Sequence, residues 1–158
     1  MHPELIALSI GQSEIWYGQK LVPGESAYHI WGYVEISGKI DCTVLARATR
    51  DAVAQADSLH YRFVDTDAGP RQSLLPFSSV EPEVLDLSAG PDARAEALAW
   101  MRTAADVPFN LTTGPLHRFT VLKIADDCVF FFGVFHHLVT DFIGSALLLR
   151  RIAEHYTD

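Results

Sequence analysis

Positive charge is scarce in this sequence. Twelve Lys and Arg face twenty Asp and Glu, a net charge of -8 over 158 residues. A protein that tracks phosphates needs a basic stripe, so nucleic acid is not an expected partner. An anionic membrane surface is disfavoured for the same reason. Cysteine is nearly absent: Cys42 and Cys128 stand alone, without neighbours at metal-ligand spacing. They read as small core hydrophobes in a reducing compartment, with a single disulfide as the alternative. Long apolar runs are missing too. The longest, Cys128 to Phe135, is eight residues, whereas a membrane helix needs about 20. The opening MHPELIALSIGQSE has no basic stretch leading into an apolar one, so no secretory signal is read and a cytoplasmic location is expected. There is no Gly-rich phosphate loop and no G-x-S-x-G elbow for a nucleophilic serine.

What remains is an ordinary globular composition, 49% hydrophobic and 20% charged, in a chain sized for one domain. Ser9 to Leu21 reads as a short helix ahead of Pro23-Gly24. Tyr28 to Ile36 alternates as a strand, with Ile30, Gly32, Val34 and Ile36 on one side. Asp41 stands where an N-cap would precede an Ala-rich helix over Thr43 to Ala56. Leu59 to Asp65 reads as a strand with Arg71 to Leu75 as its hairpin partner across Asp67-Ala68-Gly69-Pro70. Ser78 to Gly90 looks irregular, with an extended piece at Val84 to Leu87. Pro91 and Asp92 open a helix to about Ala105, which Val107-Pro108-Phe109 stops. Leu116 to Ile124 alternates as a strand. Cys128 to Phe135 is apolar on both faces, as suits a strand inside a covered sheet. Phe142 to Tyr156 carries helical apolar spacing. The fold expectation is one α+β sandwich, with Trp16, Trp31 and Trp100 as core residues and His29, His60 and His117 as structural ones.

Chemistry concentrates where the apolar strand ends, at His136-His137-Leu138-Val139-Thr140-Asp141. An imidazole titrates near working pH and can carry protons. Asp141 can orient a ring through its carboxylate, or fix the loop by bonding backbone amides and a basic partner. Two bland readings stand beside this: both histidines as hydrogen-bonded core residues, or a metal site. The latter lacks an evident third ligand, since nothing in their spacing compels His117 or His155.

These residues resemble a known family. Phe135-His136-His137-Leu138-Val139-Thr140-Asp141 is similar to the HHxxxDG motif of nonribosomal peptide synthetase condensation domains and their chloramphenicol acetyltransferase-like relatives. Ser9-Ile10-Gly11-Gln12-Ser13-Glu14-Ile15-Trp16 resembles the motif that opens those domains. Ala56-Asp57-Ser58-Leu59-His60-Tyr61-Arg62-Phe63 resembles their arginine-bearing segment after the first long helix. The run looks most like the enterobactin synthetase type. The resemblance implies a chloramphenicol acetyltransferase-like α/β sandwich: residues 1–158 as the N-terminal lobe, a mixed sheet with helices packed on it, the C-terminal lobe absent. It implies that carrier proteins deliver substrates on phosphopantetheine into a tunnel between two lobes, with no metal or organic cofactor bound directly. His137 would position the acceptor amine or take its proton in forming an amide. His136 would be structural, and Asp141 and Gly144 would support the loop. The C-terminal lobe and an adenylation domain of the parent synthetase are the other implied partners.

Two positions depart from the pattern. Phe142 stands where the motif has glycine, with Gly144 two places on; it is expected to narrow access to His137 or to cap the helix into a closed pocket, in torsions a Phe resists. His60 stands where the family has an arginine that steadies the motif loop, and Arg62, on the same face of the expected strand, is the candidate substitute. Met1 close to the first motif suggests a lobe that begins its polypeptide, and Glu154 to Asp158 reads as a helix end before a linker. The isolated lobe is expected to be inactive. The alternatives are a degenerate lobe that docks a carrier protein or adenylation domain, and an acyltransferase of the chloramphenicol acetyltransferase-like type that completes its site by oligomerising.

Overall fold

The computed structural model describes residues 4–77 and 81–157. Residues 78–80, within the stretch expected to be irregular, lie outside them, as does the last residue of the expected helix end. The elements run β1 (Ile6–Ala7), α1 (Ile10–Leu21), β2 (His29–Ser37), α2 (Cys42–Ala54), a short 3-10 helix (Asp57–His60), β3 (Tyr61–Val64), β4 (Arg71–Leu74), β5 (Glu83–Asp86), α3 (Ala93–Asp106), β6 (His117–Ala125), β7 (Cys128–His136) and α4 (Phe142–Thr157).

The helices start where local chemistry says they should. Asp41 accepts from the amides of Thr43 and Val44 to cap α2, and Asp92 accepts from Ala95 to cap α3. Ser9 and Gln12 close a reciprocal capping box on α1.

The main sheet has strand order β2-β7-β6-β5, antiparallel except for the parallel β5–β6 pair. It is mixed, as expected. Strand β7 sits inside it and is buried on both faces. Val129, Phe131 and Phe135 pack with Trp16, Leu45, Ala52, Leu148 and Ile152 from α1, α2 and α4. Phe130, Phe132 and Val134 pack with Ala97, Met101 and Ala105 of α3. The alternation that places Phe131 on one side and Phe132 on the other also decides where each histidine at the strand end points.

Three expectations need correction. A second, three-stranded sheet of order β1-β4-β3 is present; its two-residue β1 is too short to leave a periodic signal. Leu59 and His60 belong to the 3-10 helix, not to a strand, so His60 and Arg62 do not share a strand face. Trp16 is buried and Trp100 half-buried, but Trp31 is 45% exposed on β2, an edge of the main sheet. The reading of Cys42 and Cys128 as small hydrophobes at the core stands: both pack half-buried against the two core clusters, and burial raises both thiol pKa values.

Candidate active site at the end of the central strand

Strand β7 delivers the two histidines to opposite environments. His136 is the last strand residue, paired with His29, and is 1% exposed on the α3 face. His137 is exposed, and its N–H donates to the Tyr28 carbonyl at 2.9 Å, one step past the end of the β2–β7 ladder. Leu138 and Val139 then turn back into the core. The Val139 N–H donates to the His136 carbonyl at 3.1 Å, which closes the turn.

The hydrogen bonds of His137 fix its protonation pattern. Its Nδ1 lies 3.0 Å from the Thr140 carbonyl oxygen. A carbonyl only accepts, so Nδ1 carries the hydrogen and Nε2 of the neutral ring keeps a free lone pair. An exposed imidazole held at Nδ1 with Nε2 bare is built to accept a proton or a hydrogen bond.

His136 is arranged otherwise. Its Nε2 donates to Gln19 Oε1 at 3.2 Å and its Nδ1 accepts from the Leu138 N–H at 3.2 Å. Both ring nitrogens are occupied. Burial, with smaller contributions from His29 and His137, pushes its pKa down to about 4. The rings of Tyr28, His29 and Phe109 surround it at 5.9–6.4 Å.

Asp141 fixes the loop through the backbone rather than through the ring. Its Oδ1 accepts from the Gly144 N–H at 2.7 Å, and its carbonyl accepts from the Ser145 N–H at 2.9 Å. It caps α4, while Thr140 holds the His137 ring. Gly144 is favoured by close approach: a Cβ there would run into Thr140 Oγ1.

Phe142 occupies the first turn of α4 in a chain whose described non-glycine residues all have negative φ, so the torsional conflict expected of it is absent. Its ring is 79% exposed and does not seal a pocket. It stands at an open apolar groove of about 200 Å³ between α4 and the sheet, whose lining includes Ile30, Phe135 and the paired Gly32 and Gly133.

The expected loop supports lie elsewhere. His60 Nε2 donates to the Val53 carbonyl at 2.9 Å, and its ring stands edge-on to Phe77. Arg62 Nε donates to Ser73 Oγ at 3.0 Å. Among the described residues neither bonds the motif loop, and no cation pairs with Asp141. The 3-10 turn is the reason, since it directs His60 back onto the end of α2. Nor do three His, Cys, Asp or Glu side chains converge as metal ligands among the described residues.

The loop is instead held from α1. Gln12 Nε2 donates to the Leu138 carbonyl at 3.1 Å, and Gln12 exchanges amide hydrogen bonds with Gln72 at 3.0 Å. Gln19 holds His136. In the sequence Gln12 stands out only as part of a motif, and Gln19 does not stand out. The available signal is their seven-residue spacing, two turns on one helix face, flanking the buried Trp16.

Comparison with known proteins gives the family. The condensation domain model matches residues 3–158. This chain belongs to the condensation domain family. Among curated relatives, a dimodular nonribosomal peptide synthase of Bacillus subtilis is 32% identical over 151 residues, covering 96% of the chain and 6% of the relative. Enterobactin synthase component F of Escherichia coli is 31% identical over 153 residues, 96% of the chain and 12% of the relative. Among solved condensation domains, the starter domain of rhizomide synthetase RzmA superposes with a TM-score of 0.89 at 38% identity, covering 97% of the chain and 37% of that structure. The first condensation domain of the CDA synthetase gives 0.88 at 28% identity, covering 97% and 40%. The fold is that of the condensation domain, and the chain spans little more than a third of these solved structures.

Proposed function

We propose that residues 1–158 are the N-terminal lobe of a condensation domain that joins a donor acyl or peptidyl thioester to a carrier-bound amine, with His137 at the reacting centre. The observation that carries this reading is the Nδ1–Thr140 hydrogen bond, which leaves Nε2 of the exposed His137 ring without a partner among the described residues, at the end of a buried strand. The amine nitrogen attacks the thioester carbonyl and forms the C–N bond. The proton it sheds passes to Nε2, the C–S bond breaks, and that proton leaves with the sulfur as thiol. Aminolysis of a thioester asks for orientation and a proton acceptor, and this loop supplies both.

Exposed apolar residues lie on the two helices joined to the motif loop: Phe142, Ile143 and Leu147 on α4, and Ile10, Tyr17 and Leu21 on α1. Such surface calls for a cover, and a C-terminal lobe closing a tunnel over His137 is the proposed one. Substrates arrive on phosphopantetheine arms of carrier proteins, with an adenylation domain as a further partner, in the cytoplasm. No helix among the described residues is long and apolar enough to cross a membrane. Variants of the rhizomide starter domain are described in complex with C8-CoA and with Leu-SNAC, which makes these the probes of choice. The chain alone should form no amide from C8-CoA and Leu-SNAC, and the intact two-lobed domain should form it. Turnover by the chain alone would contradict the proposed lobe assignment; none from the intact domain would favour the docking platform.

That platform reading has its own support in Phe142 and in Asp141, which pairs with no cation among the described residues. The Phe142 ring lines the open groove between α4 and the sheet, and its replacement by glycine removes a bulky side chain. Phe142→Gly should cost about 0.5–1 kcal/mol in helix stability and raise the rate at which a pantetheine-linked electrophile labels His137. An unchanged labelling rate would show that the ring does not narrow access.

A further inference from the structure

We infer that Gln19 is a positioning residue for the condensation reaction: it selects the tautomer of His136 and so sets the turn that presents His137. This rests on the reading of His137 as the reacting imidazole. The argument begins with the Gln19 amide, whose orientation is decided independently of the histidine. Its Nε2 donates to the Val22 carbonyl at 2.8 Å and to the Glu25 carbonyl at 3.3 Å. A flipped amide would set oxygen against both carbonyls, so Oε1 is obliged to face His136.

An amide oxygen accepts only, so His136 Nε2 must carry the hydrogen and Nδ1 must be bare. The bare Nδ1 then takes the Leu138 N–H. The other tautomer would set Nδ1–H against that N–H and an Nε2 lone pair against Oε1, two conflicts in a buried site. Gln12, two helical turns earlier on the same face of α1, takes the Leu138 carbonyl. Both ends of residue 138 are thus tied to one helix, directly by Gln12 and through His136 by Gln19. His137, the residue before it, is left with its N–H on Tyr28 and its ring on Thr140. The first histidine is a relay of position: the carbonyls after α1 orient Gln19, Gln19 orients His136, and His136 orients the turn.

Imidazole ¹⁵N spectra of the full chain test this without turnover. At neutral pH His136 should show a protonated Nε2 and a bare Nδ1; the opposite tautomer would overturn the inference whatever the variants do. Gln19→Met keeps length and loses every hydrogen bond. In a folded variant, judged by unchanged circular dichroism, the His136 signals should become a tautomer mixture and the His137 ring resonances should move. In the intact domain, kcat for C8-CoA and Leu-SNAC should fall roughly tenfold to hundredfold with KM held, the pattern of a mispositioned reacting group. A folded Gln19→Met chain with the His136 tautomer and kcat both unchanged would sink the idea. If that variant does not fold, Gln19→Glu decides: a carboxylate facing Nε2–H should raise the His136 titration above about 4, and no rise would count against contact with residue 19. Because the tautomer is read in the resting protein, failure here is distinguishable from failure of the His137 reading, which only loss or retention of product reports.

Discussion

His137→Ala should reduce amide formation by the intact domain by roughly 10² to 10⁴, the range a positioned acid–base group contributes. The variant should keep its stability, because the ring is exposed and makes one hydrogen bond, to the Thr140 carbonyl. The two roles open to Nε2 separate in a second substitution. His137→Gln presents an amide oxygen that can hold an amine by hydrogen bonding but cannot take its proton. If orientation is the main contribution, the Gln variant should recover much of the lost rate with a flat pH profile. If proton transfer dominates, Gln should be as poor as Ala. Product assays with C8-CoA and Leu-SNAC across pH measure both, and unchanged product formation in His137→Ala would remove the residue from the chemistry.

The two histidines contrast because the chain alternates. A strand buried on both faces sends Phe135 and Val129 to the α2–α4 side and Val134 and Phe132 to the α3 side. His136 follows Val134 into the core, and His137 leaves as the ladder ends. That alternation is readable in the sequence, as are the helix caps at Asp41 and Asp92 and the central place of residues 128–135. The parts that were not readable depend on contacts between distant segments. Gln19 meets His136 across 117 residues; its seven-residue spacing from Gln12 marks a helix face but not that partner. His60 departs from strand geometry because Asp57 to His60 close a 3-10 turn, a choice made by packing Leu59 into the core rather than by propensity. The burial of Trp31 was overestimated because an edge strand and an interior strand carry similar apolar residues.

Acid should unfold this chain from within. Two imidazoles, His117 and His136, have pKa values lowered from 6.5 to about 4. Desolvation is the chief cause in both, with His60 adding to it at His117, and His29 and His137 at His136. In the unfolded chain both rings titrate near 6.5. Between pH 6.5 and 4 the unfolded state therefore binds more protons than the folded one, and stability falls as pH falls. Each group contributes about 3 kcal/mol over that window. Together they remove a large part of a typical domain's 5–15 kcal/mol. The carboxylates held low by partners, Glu35 by Arg94, Asp86 by Ser88 and Glu154 by Arg151, lose their contribution at lower pH, as it drops through the ordinary carboxylate range, so the two effects separate. At His136 the cause is also geometric: a second ring proton would point at the Leu138 N–H, so protonation breaks the turn that presents His137. The His117 ring has no hydrogen-bond partner among the described residues and lines, with His60, a cavity of about 120 Å³. His117→Leu should therefore leave stability at pH 7 little changed and take away about half of the loss between pH 6.5 and 4. Urea midpoints measured across that range check it. A wild-type midpoint that stays flat, or a His117→Leu profile parallel to it, would mean that these rings are not held neutral by burial.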